Sequence, residues 1–195
     1  MQNFFESMTR ATIPNIQKLI SHFQNSSLSS PIIYTQHGHS EKELTTSPSP
    51  NQLVRKWGPD QSIAYGSADW ELQPAIKEHV HTHITTKLKS GAENNANANR
   101  NAIVLPKNTY DAFVNTNLDD ILREKGVERV LVCGVMTDCC CDTTARSAFN
   151  RGYETWLISD ACATATNTQH VAALKGFGFG YGPVLTTAEA LKALK

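Results

Sequence analysis

The stretch that decides the fold runs from Arg129 to Asp142 and reads RVLVCGVMTDCCCD. Its first seven residues are almost all apolar, which is typical of a strand buried on both faces of a parallel sheet. The residues that follow predict a helix from about Asp138 to Asn150, which ends near Gly152 because glycine favours helix termination. We therefore expect a strand–helix unit with three consecutive cysteines at its junction.

Strands and helices alternate on both sides of this unit. Further strands are predicted at 31–35, 103–105, 154–159 and 183–185, and further helices at about 15–23, 118–122, 168–175 and 187–194. Such alternation joins parallel strands through right-handed crossovers and places helices on both faces of the sheet. We predict an α/β fold, a three-layer α/β/α Rossmann-like arrangement around a mostly parallel sheet. Its functional residues are expected at the carboxyl ends of the strands.

Length and composition limit the classes of protein that this chain can form. Its 195 residues suit a single domain over 1–195. The 18 basic and 18 acidic residues cancel, so no overall charge attracts nucleic acid or an anionic membrane surface. No apolar run approaches the roughly 18 residues that cross a bilayer. The absence of a secretory signal pattern and the odd number of cysteines, five, indicate reduced thiols in the cytoplasm.

Two segments interrupt the alternating pattern. From His37 to about Ala68 the sequence is rich in Ser, Thr, Pro, Gly and Asn, which predicts a long surface excursion. Residues 91–101, GAENNANANRN, are of low complexity and offer no side chain that could build a core. Together with the preceding histidine-rich residues, they predict a surface insertion at about 79–101.

The three cysteines at 139–141 stand in the first turn of the helix that follows the buried strand. A thiol there faces the positive end of the helix dipole and free backbone N–H groups, which favour the thiolate and could hold an oxyanion. Successive helical residues point about 100° apart, so only one of the three can face the crevice. Cysteine is also a common small core residue, so these residues alone leave catalytic and structural roles open. Three adjacent cysteines are poorly spaced for a metal.

Lys107, His37 and His39 follow other predicted strands. A lysine at a strand's carboxyl end can reach the same crevice and lower the pKa of a neighbouring thiol, although a solvated surface lysine is the commoner case. Two histidines one residue apart can bind a metal, although loop histidines without a ligand role are commoner. His37 and His39 are therefore weak metal candidates.

Residues 134–146, GVMTDCCCDTTAR, resemble the nucleophile motif of the isochorismatase-like cysteine hydrolases, Gly-Val-x-Thr-x-x-Cys followed by Thr-Ala-Arg. Lys107 with Tyr110 and Phe113 resembles the lysine segment of that family, and Asp160-Ala161 resembles its Asp-Ala element. The likeness runs over essentially the whole chain and is interrupted by the predicted insertion.

The resemblance implies roles for particular residues. The family uses an Asp-Lys-Cys triad, in which Cys140 takes the place of the nucleophile and Lys107 that of the lysine. It also implies a cis peptide between Val135 and Met136, and an oxyanion hole formed by the backbone N–H groups of Met136 and Cys140.

The chain departs from the family pattern at its first residues. The triad's Asp ends the first strand of the family in an Asp-Met-Gln segment, whereas this sequence opens Met1-Gln2. The family sheet has six parallel strands in the order 3-2-1-4-5-6, so the resemblance implies that the first, central strand and its Asp are missing here. Unpaired buried polar groups cost roughly 1–3 kcal/mol each, so we expect the 195-residue chain to fold poorly or to be inactive.

The resemblance implies a hydrolase that acts on a small amide or on isochorismate and that needs no cofactor. Isochorismatases proper cleave a vinyl ether by protonation and need no thiol, so Cys140 favours amide hydrolysis without deciding between the two. Nicotinamidases in the family hold a metal with an Asp-x-His pair, and His37 stands where that Asp would be, so we predict no metal. A small-molecule substrate and a homo-oligomer are expected. The alternative is a catalytically inactive member that serves as a binding or oligomerisation module.

Overall fold

Parallel strands form the centre of the fold in a computed structural model that describes residues 2–26, 30–80 and 102–194. The strands are β1 Ile32–His37, β2 Ala102–Lys107, β3 Arg129–Val135, β4 Glu154–Ala163 and β5 Val184–Leu185. β1 pairs with β2 in one sheet, and β3, β4 and β5 lie in that order in a second sheet, with every pairing parallel. The predicted α/β class with parallel strands is confirmed.

Helices connect the strands. They are α1 Glu6–Thr9, α2 Ile13–Asn25, α3 Glu41–Thr45, α4 Gln52–Trp57, α5 Pro74–Lys77, α6 Leu118–Glu124, α7 Asp142–Asn150, α8 Asn167–Gly180 and α9 Thr187–Ala193. Short 3₁₀ turns occur at Asn3–Phe5 and Pro59–Gln61. The helix expected from about Asp138 begins instead with a π-helical turn, Thr137–Cys141, and becomes α-helical at Asp142. In the described part of the chain, no helix is long and apolar enough to span a membrane.

β2 and β4 bury most of their side chains, whereas the residues of β3 are mostly only partly buried, unlike the buried strand expected over 129–135. In β4, Trp156 and Ile158 join a cluster that includes Leu19 of α2 and Ala190 of α9, whereas Leu157 joins a cluster with Phe177 of α8. Successive strand residues point to opposite faces of a sheet, so the two clusters lie on opposite sides of β4. The three-layer arrangement therefore follows from continuous apolar strands that have helices on both sides.

The two sheets share their helical layers. One cluster contains Tyr34 of β1 together with Trp156 of β4, and another contains Leu105 of β2 together with Ala148 of α7. Within the described residues, β1 has a strand neighbour only in β2, and β3 only in β4. This arrangement agrees with positions 3-2 and 4-5-6 of the order that the family resemblance implies.

The last two helices show how tertiary packing sets helix length. α9 begins with a capping box, in which Thr186 and Glu189 exchange side-chain to backbone hydrogen bonds. α8 is longer than the predicted 168–175, because it continues through the glycine-rich residues 176–180. Phe177 is fully buried and Phe179 is 96% exposed. Burial of the Phe177 ring in the core offsets the low helix propensity of the glycines.

Of the two predicted surface segments, the structure describes the first in full and only the first two residues of the second. The excursion after His37 contains α3 and α4, so it is not structureless. The predicted insertion at about 79–101 lies outside the described residues, except for His79 and Val80, which follow α5.

Candidate active site

The carboxyl ends of β1, β2 and β3 bring the predicted site residues to one region. His37 ends β1 and is paired in register with Lys107, which ends β2. The Gly38 N–H donates to the carbonyl of Lys107 at 2.9 Å, so the parallel pairing fixes the two ends side by side. Met136 follows the last residue of β3 and leads into the turn that carries Cys140. This placement is where a parallel α/β sheet is expected to hold its site.

Lys107 lies against Cys140. Its Nζ is 3.4 Å from the Cys140 Sγ, and it donates to the carbonyls of Thr109 at 2.7 Å and Tyr110 at 3.2 Å. Lys107 is only 3% exposed, so it is not a solvated surface lysine. Among the described residues, no carboxylate forms an ion pair with it. A buried ammonium beside a thiol stabilises the thiolate form.

The neighbouring cysteines have different surroundings from Cys140. Burial, with the charges of Asp138 and Cys140, raises the pKa of Cys139 to about 11. A hydrogen bond with the Cys162 thiol, together with burial, raises the pKa of Cys141 well above its usual value. Both thiols therefore remain protonated at neutral pH. Of the three consecutive sulfur atoms, the one in contact with Lys107 belongs to Cys140.

The turn before Cys140 is held from two sides. The Val135–Met136 peptide is cis, and the Met136 carbonyl accepts from the N–H groups of Cys139 at 3.3 Å and Cys141 at 3.0 Å. The next residue, Thr137, is fully buried, and its hydroxyl lies 2.9 Å from the Nδ1 of His170.

A second contact holds the turn. Thr164, which follows the last residue of β4, donates from its hydroxyl to the carboxylate of Asp138 at 2.5 Å. Sequence analysis did not single out His170 or Thr164, because each meets the turn only through the folded chain.

His39, which is buried, and His37, which is partly buried, form a pair with one another. The Nε2 atoms of His37 and His39 lie 3.1 Å apart, and the Nδ1 of His39 lies 4.0 Å from the Oε2 of Glu43. Burial, followed by the charges of Lys107 and His39, lowers the pKa of His37 to about 3. Burial also lowers the pKa of His39. Both side chains are therefore neutral near pH 7.

The prediction that His37 and His39 hold no metal rests on their surroundings. Nowhere in residues 2–26, 30–80 and 102–194 do three or more histidine, cysteine or carboxylate side chains cluster in a way that could hold a metal ion. His37 also lies near the ammonium of Lys107, whose charge disfavours a second cation. A metal ligand set needs more donors than this pair supplies.

Two polar contacts that the sequence analysis did not identify border Lys107. Glu43 accepts hydrogen bonds from the side chains of Asn51 and Asn108, each at 2.8 Å. The indole N–H of Trp57 donates to the hydroxyl of Tyr110 at 2.8 Å, and the Trp57 side chain is half exposed. A sequence signal for Glu43 did exist, because Ser40 and Glu43 have the three-residue spacing of a capping box.

Comparison with known proteins identifies the family. The sequence profile of the isochorismatase domain matches residues 92–189, about half of the chain. Nicotinamidase 3 of Arabidopsis thaliana is 32% identical over 181 residues, which cover 93% of this chain and 78% of the plant protein. The chain belongs to the isochorismatase family. As a member of the isochorismatase family, the protein is a hydrolase.

Two further proteins are similar in sequence or in structure. The ureidoacrylate amidohydrolase RutB of Azorhizobium caulinodans is 34% identical over 93 residues, which cover 47% of this chain and 40% of that protein. A cysteine hydrolase structure from Pseudomonas syringae superposes with a TM-score of 0.72 at 25% identity, covering 94% of this chain and 80% of that one. The likeness of fold therefore extends over nearly the whole chain.

Proposed function

We propose that the protein hydrolyses the C–N bond of a small amide, with Cys140 as the nucleophile. The observation that carries the proposal is the 3.4 Å contact between the Cys140 sulfur and the buried Lys107 ammonium. The contact lies where β3 turns into a helix, a position that also offers backbone N–H groups. Similarity to nicotinamidase 3 and to RutB, both named for amide hydrolysis, supports the substrate class.

The proposed reaction is acyl transfer through a thioester. The Cys140 thiolate attacks the carbonyl carbon, and Lys107 stabilises the thiolate before the attack. The backbone N–H groups of Met136 and Cys140 donate to the oxyanion that develops on the carbonyl oxygen. The C–N bond breaks, the amine takes a proton and leaves, and water then hydrolyses the thioester to release the acid. The family resemblance assigns these proton transfers to the triad's aspartate. Since no described carboxylate pairs with Lys107, we propose that water takes the proton from the thiol and returns a proton to the leaving amine.

Substrate assays can separate the two chemistries that the family resemblance leaves open. Nicotinamide is the first amide to test, with ammonia release as the readout, and isochorismate is the alternative substrate, with pyruvate release as the readout. We expect ammonia release that is lost in Cys140→Ala and kept in Cys139→Ala. Isochorismate cleavage that continues at an unchanged rate in Cys140→Ala would contradict the proposal, because vinyl ether cleavage by protonation needs no thiol.

A second candidate function is a binding or oligomerisation module without catalysis. Two observations favour it: none of the described carboxylates pairs with Lys107, and the described edges of β1 and β3 lack a second strand neighbour. An unpaired strand edge can accept an extended segment from another chain. Iodoacetamide labelling separates the candidates, because an activated Cys140 reacts far faster than Cys133 or Cys162, whereas an inactive site shows no such difference.

The remaining expectations concern the protein as a whole. We place one domain over 1–195, because hydrophobic clusters join elements from both halves of the chain. We place it in the cytoplasm, which suits its five free cysteines.

We also propose a homo-oligomer with a contact at Phe179, an exposed aromatic residue of α8. Light scattering of the purified protein and of Phe179→Ser tests the assembly, since loss of the contact would lower the mass.

A further inference from the structure

Glu43 connects the loop after β1 to the residue that follows Lys107. Its Oε1 accepts from the Nδ2 atoms of Asn51 and Asn108, each at 2.8 Å. The Asn51 Nδ2 also donates to the backbone carbonyl of Asn108 at 3.0 Å. Three side chains from separate parts of the chain thus form a closed set of hydrogen bonds around Asn108.

The other carboxylate oxygen of Glu43 is fixed by its own helix. The Oε2 accepts from the N–H of Ser40 at 2.8 Å and from the Ser40 hydroxyl at 3.0 Å. Burial raises the pKa of Glu43, but the hydrogen bonds from Ser40, Asn51 and Asn108 outweigh burial and lower it overall. The side chain is therefore an oriented, negatively charged acceptor at neutral pH.

The position of the Lys107 ammonium depends on the turn that contains Asn108. Lys107 Nζ donates to the carbonyls of Thr109 and Tyr110, which come one and two residues after Asn108. A shift of Asn108 would move both carbonyls and change the distance from Nζ to the Cys140 sulfur. The attraction between two charges falls as their distance grows, so such a shift would weaken the stabilisation of the thiolate.

We propose that Glu43 is a positioning residue for Lys107. Through Asn108 it holds the turn that sets the ammonium beside Cys140. The inference rests on the proposed function, because it concerns the activation of the proposed nucleophile. Glu43 forms no hydrogen bond or ion pair with Cys140 or Lys107. Its effect on the reaction therefore passes through the position of the turn.

Two variants disrupt the hydrogen bond between Glu43 and Asn108, one by changing the acceptor and one by removing the donor. Glu43→Gln keeps the spacing of the capping box, because glutamine also serves at that position, but removes the negative charge. Asn108→Ala leaves the capping box untouched and removes the donor to Glu43. Glu41→Gln is the matched control, since Glu41 is an exposed glutamate in the first turn of the same helix. Retained melting temperatures show which variants keep the fold.

The readout is the rate at which iodoacetamide alkylates Cys140 at pH 7, measured on the full chain by peptide mass spectrometry. Misplacement of a reacting group by about 1 Å can cost about a hundredfold in rate, so we expect a loss of about tenfold or more in Glu43→Gln and Asn108→Ala. Glu41→Gln should match the wild type. Where turnover is measurable, kcat should fall with little change in KM.

The outcomes separate this inference from the proposed function. Wild-type alkylation rates at Cys140 in both folded variants would overturn the positioning role of Glu43 and leave the proposed function standing. A wild-type protein in which Cys140 reacts no faster than Cys133 or Cys162 would overturn the proposed function, and the positioning role with it.

Discussion

The Lys107 ammonium lies 3.4 Å from the sulfur of Cys140, although the two residues are 33 positions apart in the chain. Each occupies a place that its own strand determines: Lys107 ends β2, and Cys140 lies in the turn that follows β3. An opposite charge within about 4–6 Å favours the charged form of a group by roughly ten- to a thousandfold. This contact is the reason for proposing Cys140 as the nucleophile of the site.

Replacement of Lys107 by methionine should reduce the reactivity of Cys140. We expect iodoacetamide to label Cys140 at least about tenfold more slowly at pH 7 in Lys107→Met, because the neighbouring positive charge is lost. The free energy of unfolding should also fall, by about 1–3 kcal/mol, because the carbonyls of Thr109 and Tyr110 lose the hydrogen bonds that Lys107 donates. Lys175→Met, in the outward part of α8, is the control. An unchanged labelling rate in Lys107→Met would show that the ammonium does not activate the thiol.

The histidine pair predicts a loss of stability in mild acid. The pKa of His37 is about 3 in the folded protein and about 6.5 in an unfolded chain. The unfolded state therefore binds more protons between these values, so the stability that is fully present above pH 6.5 falls as the pH is lowered toward 3. The slope is about 1.4 kcal/mol per pH unit for one histidine.

Urea unfolding at a series of pH values tests this effect. Between pH 7.5 and pH 5, the wild type should lose about 2 kcal/mol more than His37→Gln, because the variant lacks the titrating group. His22→Gln, in α2, is the control and should keep the wild-type pH dependence. Equal pH dependence in the wild type and His37→Gln would contradict the assignment.

Gly182 should tolerate no side chain. A Cβ atom there would clash with the backbone carbonyl oxygen of Thr155, which is fixed within β4, so Gly182→Ala should lower the free energy of unfolding by about 1–3 kcal/mol. Gly180, at the end of α8, has no atom near its Cβ position. Gly180→Ala should therefore be neutral or stabilising by up to about 1 kcal/mol, because alanine favours the helix. Urea unfolding of both variants checks the contrast, and equal stabilities would refute it.

Local sequence patterns predicted most of the regular structure. The apolar run 129–135 predicted β3 with its observed bounds, and the pattern over 187–194 predicted α9, which the structure has at Thr187–Ala193. Both signals depend on residues within a few positions of each other, so the chain alone displays them. The pattern over 15–23 likewise predicted α2, which the structure extends to Ile13–Asn25.

Features that depend on contacts between distant segments were not predictable in the same way. The helix predicted at about 168–175 stops before the glycine-rich residues 176–180, but Phe177 is fully buried and the helix continues through them. The contact between Glu43 and Asn108 joins residues 65 positions apart, so no local pattern could display it.

The same difference between local patterns and distant contacts applies to the residues of the candidate site. Lys107 and Cys140 were singled out because they follow predicted strands and resemble a family motif. His170 and Trp57 were not singled out. The contacts of His170 with Thr137 and of Trp57 with Tyr110 join residues far apart in the chain, so no local sequence pattern indicates them. Residues that support the chemistry from other elements become visible only in the folded structure.

The most direct test of the account is to identify the cysteine that carries the acyl group during turnover. The protein is mixed with an amide substrate, quenched in acid, digested and examined by mass spectrometry for a thioester. The account predicts an acyl adduct on Cys140 and none on Cys139 or Cys141, with turnover reduced by about a thousandfold or more in Cys140→Ser. Undiminished turnover in Cys140→Ser, or an adduct on a different cysteine, would contradict it.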